Sequence, residues 1–199
     1  MSRDLLHDRC GSGAAEFALI LPALFIMLFG VIDIGRYMWQ WNSAEKAAQA
    51  GVRFAAVTDV VSTGLASYDY VGVGGLTQGD VIPAAQLDPV TCGSTGSCTC
   101  TGNCPTGFAT RDANAFNRIV GRMQLIDPLI KPADVTIQYR GSGLGYAGDP
   151  NGMDVAPLVK INIANISLAT LSTLTLLSTR ITNISATMTA EDSSGTVSN

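Results

Sequence analysis

Sixteen consecutive residues without a charged side chain, from Phe17 to Ile32, constrain the fold of this chain more than any other feature. As an α-helix this run covers about 24 Å, slightly less than the hydrocarbon core of a bilayer, which is about 30 Å thick. Tyr37, Trp39 and Trp41 follow the run, and such aromatic side chains favour the interface between membrane and water. The sequence therefore predicts a membrane-spanning helix near the N-terminus.

Two simpler interpretations of this run leave part of it unexplained. A secretory signal peptide needs a cleavage site of small residues soon after its apolar stretch, but bulky and polar residues follow here from Asp33 to Trp41. A plain membrane anchor does not explain Glu16, because a carboxylate at a membrane helix is costly and usually marks a function. The residues around Glu16 therefore need another interpretation.

A glycine, a few small residues, a glutamate, an aromatic residue and a long apolar helix follow one another at the start of the run. This order resembles the processing site of type IV pilins. More narrowly, the segment resembles the TadE-like family, minor pseudopilins of the tight-adherence (Flp) pilus system. The resemblance is carried by the stretches Glu16 to Pro22, Phe29-Gly30 and Asp33 to Arg36, and by the small residues between Ala47 and Val57.

The resemblance implies a processing site and an assembly contact. A prepilin peptidase would cut between Gly11 and Ser12, so that residues 1–11 form a leader peptide. Glu16 would then be fifth in the mature chain, and its carboxylate would contact the N-terminal amine of an assembling subunit. The protein would cross the bacterial inner membrane once, with its C-terminal domain in the periplasm, and could be incorporated in a pilus.

The resemblance also implies the partners: the inner membrane, the prepilin peptidase, other pilins and pseudopilins, and tight-adherence assembly proteins. Nucleic acid is excluded as a partner, because 12 basic and 16 acidic residues give a net charge of −4 without a basic cluster. The single histidine, His7, lies in the leader, which argues against a catalytic triad or a multi-histidine metal site. We therefore expect no enzyme activity, no cofactor and no metal. The alternative is a membrane-anchored periplasmic binding or structural protein that never enters a pilus.

The rest of the chain predicts an α+β fold with a pilin-like globular domain. The N-terminal helix should span residues 12–57, and a stripe of alanines in its second half could pack on the chain's own sheet or on a neighbouring subunit. Residues 109–199 should add a second helix over 111–126 and an antiparallel sheet of about three strands. Alternation of apolar residues places these strands at 135–139, 159–163 and 184–188.

Residues 58–108 are predicted to be irregular and to contain a loop held by cysteines. Cys92, Cys98, Cys100 and Cys104 lie there in the spacing C-x5-C-x-C-x3-C. A structural zinc site usually has two separated pairs of ligands, whereas an even number of cysteines in an exported loop favours disulfides. Three pairings are open, and Cys98 with Cys100 is a poor pair because one residue separates them.

A glycine pattern typical of dinucleotide sites, Gly143-Leu-Gly145-Tyr-Ala-Gly148, follows the first predicted strand. That site needs a helix next, so that the helix N-terminus meets the pyrophosphate. The turn-forming residues 149–152 follow instead, so a hairpin loop is expected.

Overall fold

The computed structural model describes residues 12–102, 104–105, 107–150, 152–167, 180–181, 183–190 and 193–196. The chain divides into two compact units, Met1–Gln40 with Ser167–Thr179, and Trp41–Ile166 with Arg180–Asn199. The predicted leader, including Gly11, lies outside the described residues.

The described residues contain three α-helices, which are α1 (Ser12–Val57), α2 (Thr63–Ala66) and α3 (Ala113–Gln124). The single long N-terminal helix predicted from the sequence is confirmed, and it continues through Pro22. α3 begins at the cap residue Asp112, whose carboxylate accepts the backbone N–H of Asn114 at 2.7 Å and of Ala115 at 3.1 Å. These bonds satisfy amides that have no partner inside the helix.

Seven strands lie in the described part of the chain: β1 (Val90–Cys92), β2 (Thr99–Cys100), β3 (Val135–Arg140), β4 (Leu158–Ile163), β5 (Ile166–Ser167), β6 (Arg180–Ile181) and β7 (Ile184–Thr189). Five of them form an antiparallel sheet in the order β2-β1-β3-β4-β7, and β5 pairs with β6 in a second sheet. The α+β class predicted from the sequence is confirmed.

The three predicted strands are the centre and one edge of this sheet. Ile137 of β3 lies opposite Ile161 of β4, which lies opposite Ala186 of β7. In β3 and β4 the apolar residues on this face are buried, as the alternation predicted. β7 is more exposed, and Met188 keeps 37% of its surface in solvent, in line with its edge position.

The sheet also has two strands in the segment for which the sequence predicted irregular structure. β1 pairs with β3, with Val90 opposite Tyr139 and Cys92 opposite Ile137, and β2 continues the sheet beyond β1. Val90 and Cys92 are both fully buried. Two apolar side chains on one face suffice for a three-residue strand beside β3, whereas the surrounding Gly, Ser and Thr conceal that alternation in the sequence.

The alanine stripe of α1 packs inside the second unit. Its alanines have no exposed surface: Ala44, Ala47, Ala48, Ala55 and Ala56. Gly51 lies in the same stripe, where an added Cβ would lie 2.6 Å from Cγ of Met123 and 3.0 Å from Cδ1 of Ile161. Of the two interpretations of the stripe, the structure shows packing on the chain's own α3 and sheet.

α3 runs antiparallel to the second half of α1 and to the residues that follow it. The contacts between the two segments ascend along one as they descend along the other: Val61 with Asp112, Asp59 with Arg118, Gly51 with Met123 and Ser43 with Ile126. The C-terminal end of α3 therefore lies beside Ser43, near the start of the second unit.

Candidate functional site

The part of α1 in the first unit presents an apolar surface to its surroundings. Most of its large apolar side chains are exposed, from Phe17 to Met38. Among the described residues, one helix is long and apolar enough to cross a membrane, and that helix is α1. None of its most apolar stretch is buried. Since exposed apolar surface is unfavourable in water, α1 fits a single-pass membrane anchor.

Glu16 lies near the N-terminal end of this apolar helix. α1 begins at Ser12, so the carboxylate follows the first helical residue by four positions, about one turn. The side chain of Glu16 is exposed. A carboxylate in this position can meet a positively charged group of another molecule.

The other end of the apolar run has a pair of opposite charges. Asp33 and Arg36 lie one turn apart, with Oδ1 of Asp33 3.9 Å from Nη1 of Arg36. The two charges offset each other where the apolar surface gives way to Tyr37 and Gln40. Such a pair contributes at most about 1 kcal/mol in an exposed setting, so its main effect is to lower the cost of placing charge beside lipid.

The four clustered cysteines form two disulfides, Cys92 with Cys98 and Cys100 with Cys104. Cys92 belongs to β1, and both cysteines of the first pair are buried. The second pair is half-buried. The first bond closes the turn between β1 and β2, and the second follows β2. Together they hold a segment with no charged residue and few large apolar ones.

Tyr139 connects the sheet to the chain just after α1, and sequence reasoning missed this role. Its hydroxyl oxygen accepts the backbone N–H of Val61 at 3.0 Å. Burial raises the pKa of this hydroxyl, and the hydrogen bond from Val61 acts in the opposite direction. Alternation marks Tyr139 as a buried strand residue, but its partner lies 78 positions away, and no local pattern identifies it.

Asp154 organises the loop between β3 and β4. Its buried carboxylate accepts three backbone N–H groups: Tyr70 at 2.8 Å, Gly148 at 2.9 Å and Asp149 at 3.0 Å. Burial raises the pKa of the Tyr70 hydroxyl, and the charges of Tyr68 and Asp154 add to this effect. The glycine pattern lies in this loop, and β4 is the next regular element among the described residues, so the hairpin interpretation is confirmed.

A cleft of about 480 Å³ opens beside this loop and is lined by residues such as Tyr68, Asp69, Gln78 and Asp154. The Asp154 carboxylate already holds three amides, so its position is explained by loop structure. Across the residues that the structure describes, no three His, Cys, Asp or Glu side chains are grouped as metal ligands.

The family model of TadE-like proteins matches residues 11–53, about a fifth of the chain. No curated protein matches the sequence, and no solved structure matches the fold. The matched residues begin at the predicted processing site, include Glu16 and end in the buried alanine stripe of α1. The N-terminal segment of this chain is thus similar to that of TadE-like proteins, which confirms the resemblance seen in its sequence.

Proposed function

We propose that this chain is a minor pseudopilin-like protein that takes part in assembly of a tight-adherence (Flp) type IV pilus. The observation that carries the proposal is the TadE-like match over residues 11–53. The family is associated with the tight-adherence pilus system, and the match falls on the segment in which a pilin-like protein needs its processing site, its carboxylate and its apolar helix.

The exposed apolar half of α1 supports an inner-membrane location. A helix of this kind needs apolar surroundings, which lipid supplies before assembly and neighbouring helices supply within a filament. The second unit has a buried core and a disulfide-linked segment. Because disulfides persist in oxidising compartments, we place this unit in the periplasm.

Processing by a prepilin peptidase would release residues 1–11 and leave a new α-amino group on Ser12. Glycine before the cut bond adds no side chain, so the backbone can enter a narrow protease cleft. The small residues after it, Gly13 to Ala15, add little bulk. The partners in this scheme are the peptidase, other pilins and pseudopilins, and the assembly proteins of the tight-adherence system.

Glu16 is the proposed assembly contact. Its carboxylate is unfavourable in lipid by a few kcal/mol at mid-membrane and by less near the edge. The ammonium group of a neighbouring subunit's Ser12 would relieve this penalty, so correct axial register between subunits would be favoured.

We propose no enzymatic role and no cofactor. The one histidine of the chain lies in the segment that processing would remove, and the buried Asp154 is committed to backbone amides. The alternative function, a membrane-anchored periplasmic binding or structural protein outside any pilus, needs neither Gly11 nor Glu16.

The test replaces Glu16 in a strain whose only copy of the protein carries the change. We expect Glu16→Ala to insert and fold normally but to abolish pilus assembly, while Glu16→Asp, shorter by one methylene, retains part of it. Pili are counted by electron microscopy, and insertion is checked by membrane fractionation. Glu45→Ala is the matched control, because Glu45 is also an exposed glutamate of α1. Normal piliation with Glu16→Ala would show that the carboxylate is not an assembly contact.

A further inference from the structure

Three large apolar side chains just after the C-terminal end of α3 are exposed on the second unit. Leu125, Ile126 and Leu129 keep 76%, 40% and 50% of their surfaces in solvent. Their neighbours Met123 and Ile130 are fully buried, so the segment packs against the core of the second unit. We call the three exposed side chains the α3 patch.

Ile126 of the α3 patch contacts Ser43, a residue of α1 that belongs to the second unit. The Ser43 hydroxyl donates a hydrogen bond to the Ile126 carbonyl at 3.4 Å. Ser43 follows Trp41, the first residue of the second unit, by two positions, or about 3 Å along a helix. Ser43 is therefore three residues beyond Gln40, the last residue of α1 in the first unit.

Basic side chains flank the patch. Arg122 precedes it and Lys131 follows it, and both are exposed. The acidic residue within the segment, Asp127, is buried, and its carboxylate accepts the backbone N–H of Leu129 at 3.1 Å. The surface presented to the surroundings is thus an apolar centre between two cations, the pattern of segments that lie in the interface of an anionic membrane.

We propose that the α3 patch docks into the headgroup layer of an anionic bilayer, the inner membrane that α1 crosses. This inference rests on the proposed membrane location of the protein. Twenty helical residues from Phe17 to Arg36 match the thickness of the hydrocarbon core, and Ser43 follows Arg36 by seven residues in the chain. The apolar centre of the patch suits the boundary between headgroups and acyl chains, and its two basic flanks suit anionic headgroups. Docking gives the second unit a second attachment to the membrane, in addition to α1.

The test measures contact with lipid by tryptophan fluorescence in the full-length protein. Trp39→Phe and Trp41→Phe remove the native tryptophans, and a single new one is introduced as Leu129→Trp. The protein is reconstituted in phosphatidylglycerol–phosphatidylcholine vesicles with and without brominated acyl chains, which quench tryptophan on contact. We expect Leu129→Trp to lose fluorescence in the brominated vesicles.

Two matched variants separate the outcomes. Leu144→Trp replaces a similarly exposed leucine, at 55%, in the loop between β3 and β4, and should not be quenched. Phe25→Trp reports the membrane segment and should be quenched strongly. If Phe25→Trp is quenched and Leu129→Trp is not, docking is refuted while the membrane anchor stands. If Phe25→Trp is not quenched, the anchor itself fails and docking fails with it.

The basic flanks give a second readout. Arg122→Gln with Lys131→Gln should reduce quenching of Leu129→Trp in anionic vesicles, with about a fivefold loss in the docking equilibrium for each cation removed. It should have no such effect in vesicles of phosphatidylcholine alone. Protection of Leu129→Trp from aqueous acrylamide without quenching by brominated lipid would mean that another protein copy covers the patch, which would overturn the proposal.

Discussion

At the scale of single residues, the buried hydroxyl of Tyr139 links the sheet to the segment that follows α1. The N–H of Val61 lies in the core and has the Tyr139 hydroxyl as its acceptor. A buried amide that loses its acceptor costs about 1 to 3 kcal/mol. Loss of this hydrogen bond should therefore cost more free energy of folding than loss of a hydrogen bond at the surface.

We expect Tyr139→Phe to lower the stability of the full-length protein by about 1 to 3 kcal/mol, because the ring still fills its site but the Val61 amide is left without a partner. For a chain of this size the melting temperature falls by about 2 to 4 °C per kcal/mol. Thermal unfolding followed by near-UV circular dichroism in detergent micelles measures the change. Tyr146→Phe is the control, since Tyr146 is exposed, and an equal effect of both variants would contradict the assignment.

At the scale of elements, α1 packs on α3 and on the sheet through alanine and glycine. Gly51 leaves room for Met123 and Ile161, which are fully buried. Gly121, in contrast, lies in α3 with nothing within 4 Å of where a Cβ would be. The two glycines share a helical backbone and differ in their surroundings.

We expect opposite effects from alanine at these two positions. Gly121→Ala should raise stability by up to about 1 kcal/mol through helix propensity alone. Gly51→Ala gains the same propensity but crowds a closed core, and overpacking costs about 1 to 3 kcal/mol, so the net effect should be destabilising. Melting temperatures of the two variants decide this, and a Gly51→Ala protein as stable as Gly121→Ala would show that the stripe is loosely packed.

The two disulfides should differ in their contribution to stability. Short closed loops of this kind give about 2 to 3 kcal/mol in the chain-entropy description. Cys92 also fills the core beside Ile137, so Cys92→Ser with Cys98→Ser should lower the melting temperature more than Cys100→Ser with Cys104→Ser. Before reduction, alkylation should label none of the four cysteines. The reverse order of stabilities, or labelled thiols, would argue against this pairing.

The elements divide clearly into those that the sequence reveals and those that it does not. α1 follows from its apolar run and its alanine stripe, and α3, β3, β4 and β7 follow from local periodicity, because apolar residues recur on one face of each. β1 pairs with β3, 45 or more residues away, and β2 pairs with β1. No local pattern predicts the distant partner of β1. Asn165 and Asn183 adopt positive φ angles of 64° and 63°, where β4 gives way to β5 and β6 to β7. An asparagine in an apolar, strand-like sequence does not by itself predict that one strand ends and another begins there.

The candidate site follows the same division. Glu16 is visible in the sequence because a charge at the edge of an apolar run is costly and local. Asp154 is not, because one of its three amide donors, Tyr70, lies 84 positions away and meets it only in the folded chain.

At the scale of the whole molecule, the two units require different surroundings. The first presents exposed apolar side chains along α1, and the second buries its apolar residues between helices and a sheet. The proposed assembly from a membrane into a filament would account for this division, since the apolar helix could exchange lipid for other helices while the second unit keeps its fold. The proposed assembly depends on the N-terminus, because cleavage would create the amine that Glu16 of another subunit would contact.

The N-terminal residue of the protein extracted from membranes tests this central claim most directly. Intact-mass spectrometry should show the loss of residues 1–11, with Ser12 as the first residue, and Gly11→Val should block this maturation while membrane insertion continues. A membrane-extracted protein that still begins at Met1, or one that begins near Tyr37 after secretory cleavage, would contradict the pseudopilin-like function.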